Sequence, residues 1–167
     1  MRTLTLLTAM ALSGCAYTED GWIWRPLEGP SYDIGEGLTF EPEPETTFVV
    51  AATYLPVSRE GRGLFSDNMD AIQATLDAEP EGLIAYSLGQ KMVGREYRTV
   101  TVWEDEDALM GFVFSEAHAQ AMADASAIRD PDTEAKVVRW EITPDELPLE
   151  WADIMERTDS SGRQVAY

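Results

Sequence analysis

Thr47-Phe48-Val49-Val50-Ala51-Ala52-Thr53-Tyr54-Leu55 is apolar on both faces of an extended chain, and no other segment restricts the fold as much. Successive side chains of a strand point to opposite sides, so a strand that is apolar at odd and even positions alike has to be covered twice. This predicts a central strand in a layered domain. Pro56 to Gly63 interrupts it. Phe65, Met69, Ile72 and Leu76 then recur at i, i+4, i+7 and i+11, one face of an amphipathic helix, which Glu79-Pro80 closes.

Leu83 to Leu88 reads as a second strand and Glu96 to Trp103 as a third, with Gly89 to Gly94 as the turn that makes them a hairpin. Helical signal returns with Leu109, Phe112 and Val113. Ser115 is the kind of residue that caps a further helical piece, whose inner face would be Ala117, Ala121 and Met122. Ala135 to Ile142 is a fourth strand, and Trp151 to Met155 a short last helix. The expected strands are near 47–55, 83–88, 96–103 and 135–142, and the expected helices near 64–78 and 105–126. The order β-α-β-β-α-β is that of a ferredoxin-like α+β fold, a four-stranded antiparallel sheet with both helices on one face.

Such a sheet leaves its second face apolar unless something covers it. A second copy of the chain is expected there, giving a homodimer. On the third strand Val100 and Val102 share one side, and Tyr97, Thr99, Thr101 and Trp103 share the other. The valines are expected beneath the helices, buried with Phe65, Ile72, Leu109 and Phe112. Tyr97, Thr101 and Trp103 are expected on the dimer side, lining a ligand pocket that His118 approaches from the second helix.

Arg2, the apolar run Thr3–Leu12 and then Leu12-Ser13-Gly14-Cys15 resemble a bacterial lipoprotein signal. The resemblance implies that residues 1–14 are removed, that Cys15 is lipidated as the new N-terminus, and that the protein is exported and held on a membrane. Ala16 replaces the Asp that marks inner-membrane retention, which favours the outer membrane, facing the periplasm, in a host with two membranes. Residues 15–46, punctuated by Gly and Pro, read as the lipidated Cys and a flexible tether. Trp22, Trp24, Tyr32 and Phe40 are unusual in a linker and are expected to dock on the domain rather than at lipid headgroups. The domain then spans 47–157, with 158–167 as a frayed tail.

The formal net charge is −19, from 31 acidic against 12 basic residues. A chain so acidic repels phosphate backbones, which argues against nucleic acid as a partner, and it repels anionic lipid, so it should hang from its anchor. One His and a lipidated Cys cannot build a zinc site, no disulfide can form, and no Gly-rich phosphate loop is present. Glu104-Asp105-Glu106-Asp107 lacks the spacing and glycine of a calcium loop, and acids at a helix start complement the dipole. Arg98 and Arg139, on strands, are expected in salt bridges rather than as anchors for an acidic ligand, and Tyr54 and Tyr86 in the core or an interface rather than as phenol donors to a pocket.

Thr99-Val100-Thr101-Val102-Trp103-Glu104-Asp105, then Ala108-Leu109, Phe112 and Ser115-Glu116-Ala117-His118, resemble the third-strand-to-second-helix segment of the antibiotic biosynthesis monooxygenase-like, dimeric α+β barrel superfamily. Within it the segment is most similar to uncharacterised bacterial members, with some similarity to the spheroidene monooxygenase type. Arg139-Trp140 and Leu147-Pro148-Leu149-Glu150-Trp151 resemble its closing segment. The resemblance implies a dimeric barrel and one of several activities: binding of a small apolar or aromatic molecule, cofactor-independent oxygenation of an aromatic or quinone-like substrate, or haem binding through His118. Haem-degrading relatives carry a Trp earlier on the helix of that His, where this chain has Ala108, which argues against haem breakdown. The expectation is therefore a small-molecule binder without a cofactor, with the oxygenase as the alternative.

Overall fold

The computed structural model describes residues 17–161 and 163–164, so the signal segment 1–14 and the lipidation expected at Cys15 lie outside the described residues. In chain order the elements are β1 (Tyr17–Glu19), β2 (Trp22–Trp24), β3 (Tyr32–Asp33), β4 (Gly37–Leu38), β5 (Phe48–Pro56), α1 (Arg62–Asp77), β6 (Leu83–Lys91) and β7 (Glu96–Trp103). They continue with α2 (Glu106–Val113), α3 (Glu116–Ile128), β8 (Lys136–Ile142), α4 (Trp151–Ser161) and β9 (Arg163–Gln164). Among the described residues one sheet runs β1-β2-β6-β7-β5-β8-β9, antiparallel at every pair. Its middle, β6-β7-β5-β8, is the expected ferredoxin-like set, with β5 central and Thr53 flanked by Thr99 and Val137. The fold is α+β; among the described residues the main sheet has three strands beyond the expected four, and β3 and β4 pair as a separate two-stranded sheet.

The helical region expected over 105–126 is two helices, divided at Ser115, the residue expected to cap a further helical piece. Asp105 caps α2 by accepting from the Ala108 N–H at 2.8 Å, with Glu106 and Asp107 in its first turn. The chain leaves the helix at Phe114, and Ser115 caps α3 by accepting from the His118 N–H at 3.4 Å. Helices α1 and α3 pack on each other. Gly61 sits so close to the end of α3 that a Cβ there would lie 2.5 Å from the Ile128 carbonyl oxygen, and Asn68 of α1 donates to Asp124 of α3 at 3.0 Å.

The two faces of β7 are covered the other way round from the expectation. Val100 and Val102 lie with Trp22, Trp24, Phe48, Val50, Trp151 and Ile154 on the face away from α1–α3. Trp103 is fully buried under α2 with Leu109, Phe112 and Leu76, and Tyr97 lies on the same side with Phe65 and Ile128. Val100 is therefore not buried with Phe65, Leu109 and Phe112. Both faces of the strand are covered, so alternation marks two sides without saying which receives the helices.

The tether expectation also fails for the described part of 15–46. β1 and β2 pair onto the edge of β6, with Trp24 opposite Gly89. Trp22, Trp24, Leu27 and Tyr32 are all buried. Docking is what the structure has for Trp22, Trp24 and Tyr32, whereas Phe40 meets the Phe48 ring edge-on at 6.3 Å but stays 39% exposed. The tail expectation fails in the same way: α4 extends to Ser161, Thr158 is 1% exposed, and β9 pairs with β8. Trp22 stacks on Trp24 with centroids 4.9 Å apart, and Trp24 on Trp151 at 4.3 Å. This stack and α4 cover the sheet face on which a second copy was expected. The apolar face that motivated a homodimer is closed within one chain.

Candidate functional site

The cavity lies between the sheet and the α1–α3 pair, with a volume of about 280 Å³. The sheet supplies its floor, including Thr53, Leu88, Thr99 and Thr101. Helix α1 supplies Phe65, Met69 and Ile72, and α3 supplies His118, Ala121 and Met122. It belongs to a single chain, on the helix side of the sheet, and not to a space between two copies. Of the residues singled out from sequence, Tyr97, Thr101 and His118 line it. Trp103 sits behind it and acts through a neighbour: its Nε1–H donates to Thr101 Oγ1 at 2.8 Å, which fixes the rotamer of a floor residue. Trp103 also stacks on Phe112 at 5.2 Å, and Phe112 meets the His118 ring at 5.0 Å.

His118 is held at both ends. Its backbone N–H is taken by the Ser115 cap, and its Nδ1 lies 3.2 Å from the Val113 carbonyl oxygen. A carbonyl oxygen only accepts, so Nδ1 carries the proton in the neutral ring and Nε2 keeps a lone pair. Burial pushes the imidazole below its ordinary value of 6.5; the Val113 hydrogen bond raises it in part, and the Arg139 charge lowers it. The ring is therefore neutral at physiological pH. Among the described residues Nε2 makes no hydrogen bond to the protein, and it is not one of the fully buried polar atoms, so its lone pair is open to water or to a ligand.

Most other polar groups of the lining are engaged. Gln73 Nε2 donates to the Tyr86 hydroxyl at 2.7 Å and to Asp77 at 2.8 Å, and Tyr86 donates to Asp77 at 2.8 Å. Burial first, and then the Asp77 contact, raise the Tyr86 phenol above its ordinary range. Asn68 is tied to Asp124. Arg139, exposed at the β8 side of the cavity, pairs with Glu106 at 2.8 Å and donates to Met110 Sδ at 3.6 Å. Asn68, Gln73 and the backbone carbonyl of Val113 are site groups that the sequence reading does not reach. Asn68 left one signal, a polar residue at i+3 from Phe65 on the apolar side of the helix; a backbone carbonyl such as that of Val113 leaves none.

Arg98 lies on the other face. Its guanidinium sits between the Tyr54 ring (4.5 Å) and the Trp22 ring (5.3 Å) and pairs with Asp159 of α4 at 2.9 Å. Tyr54 donates to Glu96 at 2.9 Å, and burial together with that bond pushes its phenol up to about 12. These groups tie the covering layer to the sheet and do not reach the cavity. Among the described residues no group of His, Cys, Asp and Glu is placed to hold a metal ion, and no helix is long and apolar enough to cross a membrane.

Sheet order, helix placement and cavity define a ferredoxin-like α+β domain with a partly open pocket between its sheet and helices. The chain belongs to the family described as a domain of unknown function, DUF3291, whose model matches residues 11–161. No curated protein matches it. Solved structures to which it is similar include a conserved protein from Methanosarcina mazei Go1, at 17% identity and a TM-score of 0.49 over 57% of this chain and 92% of that one. A protein from Pseudomonas aeruginosa is similar at 16% identity and a TM-score of 0.49, over 61% of this chain and 99% of that one. A protein described as an antibiotic biosynthesis monooxygenase is similar at 14% identity and a TM-score of 0.48, over 57% and 99%.

Proposed function

We propose that this chain binds a small apolar or aromatic molecule in the cavity between the sheet and α1–α3, while anchored to a bacterial membrane through Cys15. The observation that carries the reading is the cavity: formed by one chain, partly open to solvent, largely apolar, about 280 Å³, close to the lower end of the ~300–1,000 Å³ of ordinary small-molecule pockets. It suits a molecule of one or two rings. A porphyrin does not fit a space of that size, so His118 is not read as a haem ligand. The test is calorimetric titration of the signal-free domain with naphthalene, beside a variant in which Ala121→Phe fills the cavity. Binding by the parent and none by the filled variant is the expected result; equal binding by both would remove the cavity from the reading.

A second reading, cofactor-independent oxygenation of an aromatic substrate, is favoured by one observation: the neutral His118 with a free Nε2 can take a proton from a hydroxy-aromatic. A ring carbon of the hydroxy-aromatic anion formed there would bond to dioxygen, the co-substrate, and the resulting hydroperoxide would lose water to leave a quinone. Oxygen consumption with a polyphenol panel, abolished in His118→Ala, is its test. The anchor rests on Leu12-Ser13-Gly14-Cys15 and the apolar run before it. It would place the protein outside the cytoplasm, on the outer membrane of a host that has one. Acyl chains on Cys15, and a soluble or unprocessed form of Cys15→Ala, are the expected outcomes. Homodimerisation would have to use a surface other than the covered sheet face, and sedimentation at micromolar concentration tests it.

A further inference from the structure

We infer that the cavity selects an uncharged ring compound carrying one hydrogen-bond donor, a hydroxyl or N–H, which His118 Nε2 receives, and that it rejects the carboxylate counterpart of the same ring. This rests on the reading of the cavity as a ligand site and goes beyond it by naming what the ligand must present.

The chemistry of the lining carries the inference. His118 presents an acceptor alone, because Val113 takes the Nδ1 proton. Thr53, Thr99 and Tyr97, lining hydroxyls engaged in no hydrogen bond of their own among the described residues, can turn to donate or accept and impose no polarity, while Ser87 already donates to the Arg25 carbonyl oxygen. Thr101 already accepts from Trp103, and Gln73, Tyr86 and Asn68 are held in bonds of their own. A ligand that reaches Nε2 without a donor leaves that lone pair facing an apolar group, and a ligand with a carboxylate sets two acceptors against each other. Asp, Glu and Lys are absent from the cavity lining among the described residues, and its one charged group, Arg139, is paired to Glu106. A carboxylate entering the cavity would meet only Arg139, which lies exposed at the β8 side with its charge already offset by Glu106, and burying an under-compensated charge is costly. The net charge of −19 disfavours its approach as well.

The experiment compares 1-naphthol, 1-methoxynaphthalene and 1-naphthoate by calorimetric titration of the signal-free domain, with and without His118→Ala. Expected is 1-naphthol binding about 3- to 10-fold more tightly than the methoxy compound, the range for one neutral hydrogen bond. Naphthoate should be weaker than both. His118→Ala should bring the first two together. Imidazole nitrogen spectra of the parent protein give a readout that needs no variant: the Nε2 resonance should move on adding 1-naphthol and hold still with the methoxy compound. Equal affinity for all three, tight naphthoate binding, or an unmoved Nε2 signal at saturating naphthol would overturn the selection while leaving the cavity as a ligand site. Failure of all three compounds to bind would overturn both.

Discussion

The indole of Trp24 occupies the space that a Cβ on Gly89 would need, lying flat on the backbone of the strand beside it. The two residues are register partners across β2 and β6. Only a residue without a side chain lets the ring lie down, and only there can it stack on Trp22 and Trp151 to close the sheet face. Gly89→Ala should therefore lift the ring, costing about 1–3 kcal/mol as an overpacked site does. Trp24→Ala should cost about 3–5 kcal/mol. Urea unfolding of the signal-free domain measures both, and a Gly89→Ala midpoint equal to that of the parent would contradict the packing.

The Arg98–Asp159 pair ties α4 to the sheet. Arg98 is buried with its Nε and Nη1 unpaired among the described residues, while Asp159 is about half exposed (53%). Asp159→Asn should lower stability by about 1–3 kcal/mol, the range for a hydrogen bond to a charged group and below that of a wholly buried pair. Amide exchange should rise in α4 and leave α1 unchanged. Uniform loss of protection would argue against a local tie.

Phe112 connects Trp103 to His118 and is 8% exposed. Phe112→Ala should cost about 3–5 kcal/mol by denaturant unfolding. It should also weaken ligand binding, because the ring that holds the imidazole in place is gone. Unchanged stability would mean that the site collapses without cost.

His118 gives the stability a pH dependence of definite sign. Its pKa is lowered in the folded state, chiefly by burial, with Arg139 of β8 adding to the shift; Glu106 of α2 partners that arginine. Between the folded and unfolded values the unfolded chain binds more protons, so stability falls as pH drops through and below about 6.5 and is retained above it. His118→Gln should flatten that part of the profile between about pH 5 and 8. A profile unaltered by the substitution would assign the slope to other groups.

The elements from Thr47 to Ile142 were legible because they are long enough to show a period. β5 could be read from its apolar residues on both faces and α1 from Phe65, Met69, Ile72 and Leu76. The covering layer was not legible as structure. β1 and β2 have three residues each, too few for a period, and Gly and Pro around them read as linker; the sole trace is Trp22 and Trp24 buried with Ile23 exposed between them. Without that layer the β7 valines have only the predicted helices to pack against, which reverses the two faces of the strand. Part of the site was legible all the same. Tyr97, Thr101 and His118 meet at one cavity, but on the helix side of the sheet, and the Val113 carbonyl that sets the His118 tautomer has no signature in residue type.

The central claim is that a small ring compound occupies the space between the sheet and α1–α3. Methyl spectra of methionine-labelled protein report on it directly. Met69 and Met122 line the cavity, while Met92 lies at the β6–β7 turn and Met155 on α4. Titration with 1-naphthol should move the Met69 and Met122 methyl resonances and leave Met92 and Met155 in place. Shifts at Met155 or Met92 with none at Met69 and Met122, or no shift anywhere at saturating probe, would contradict it.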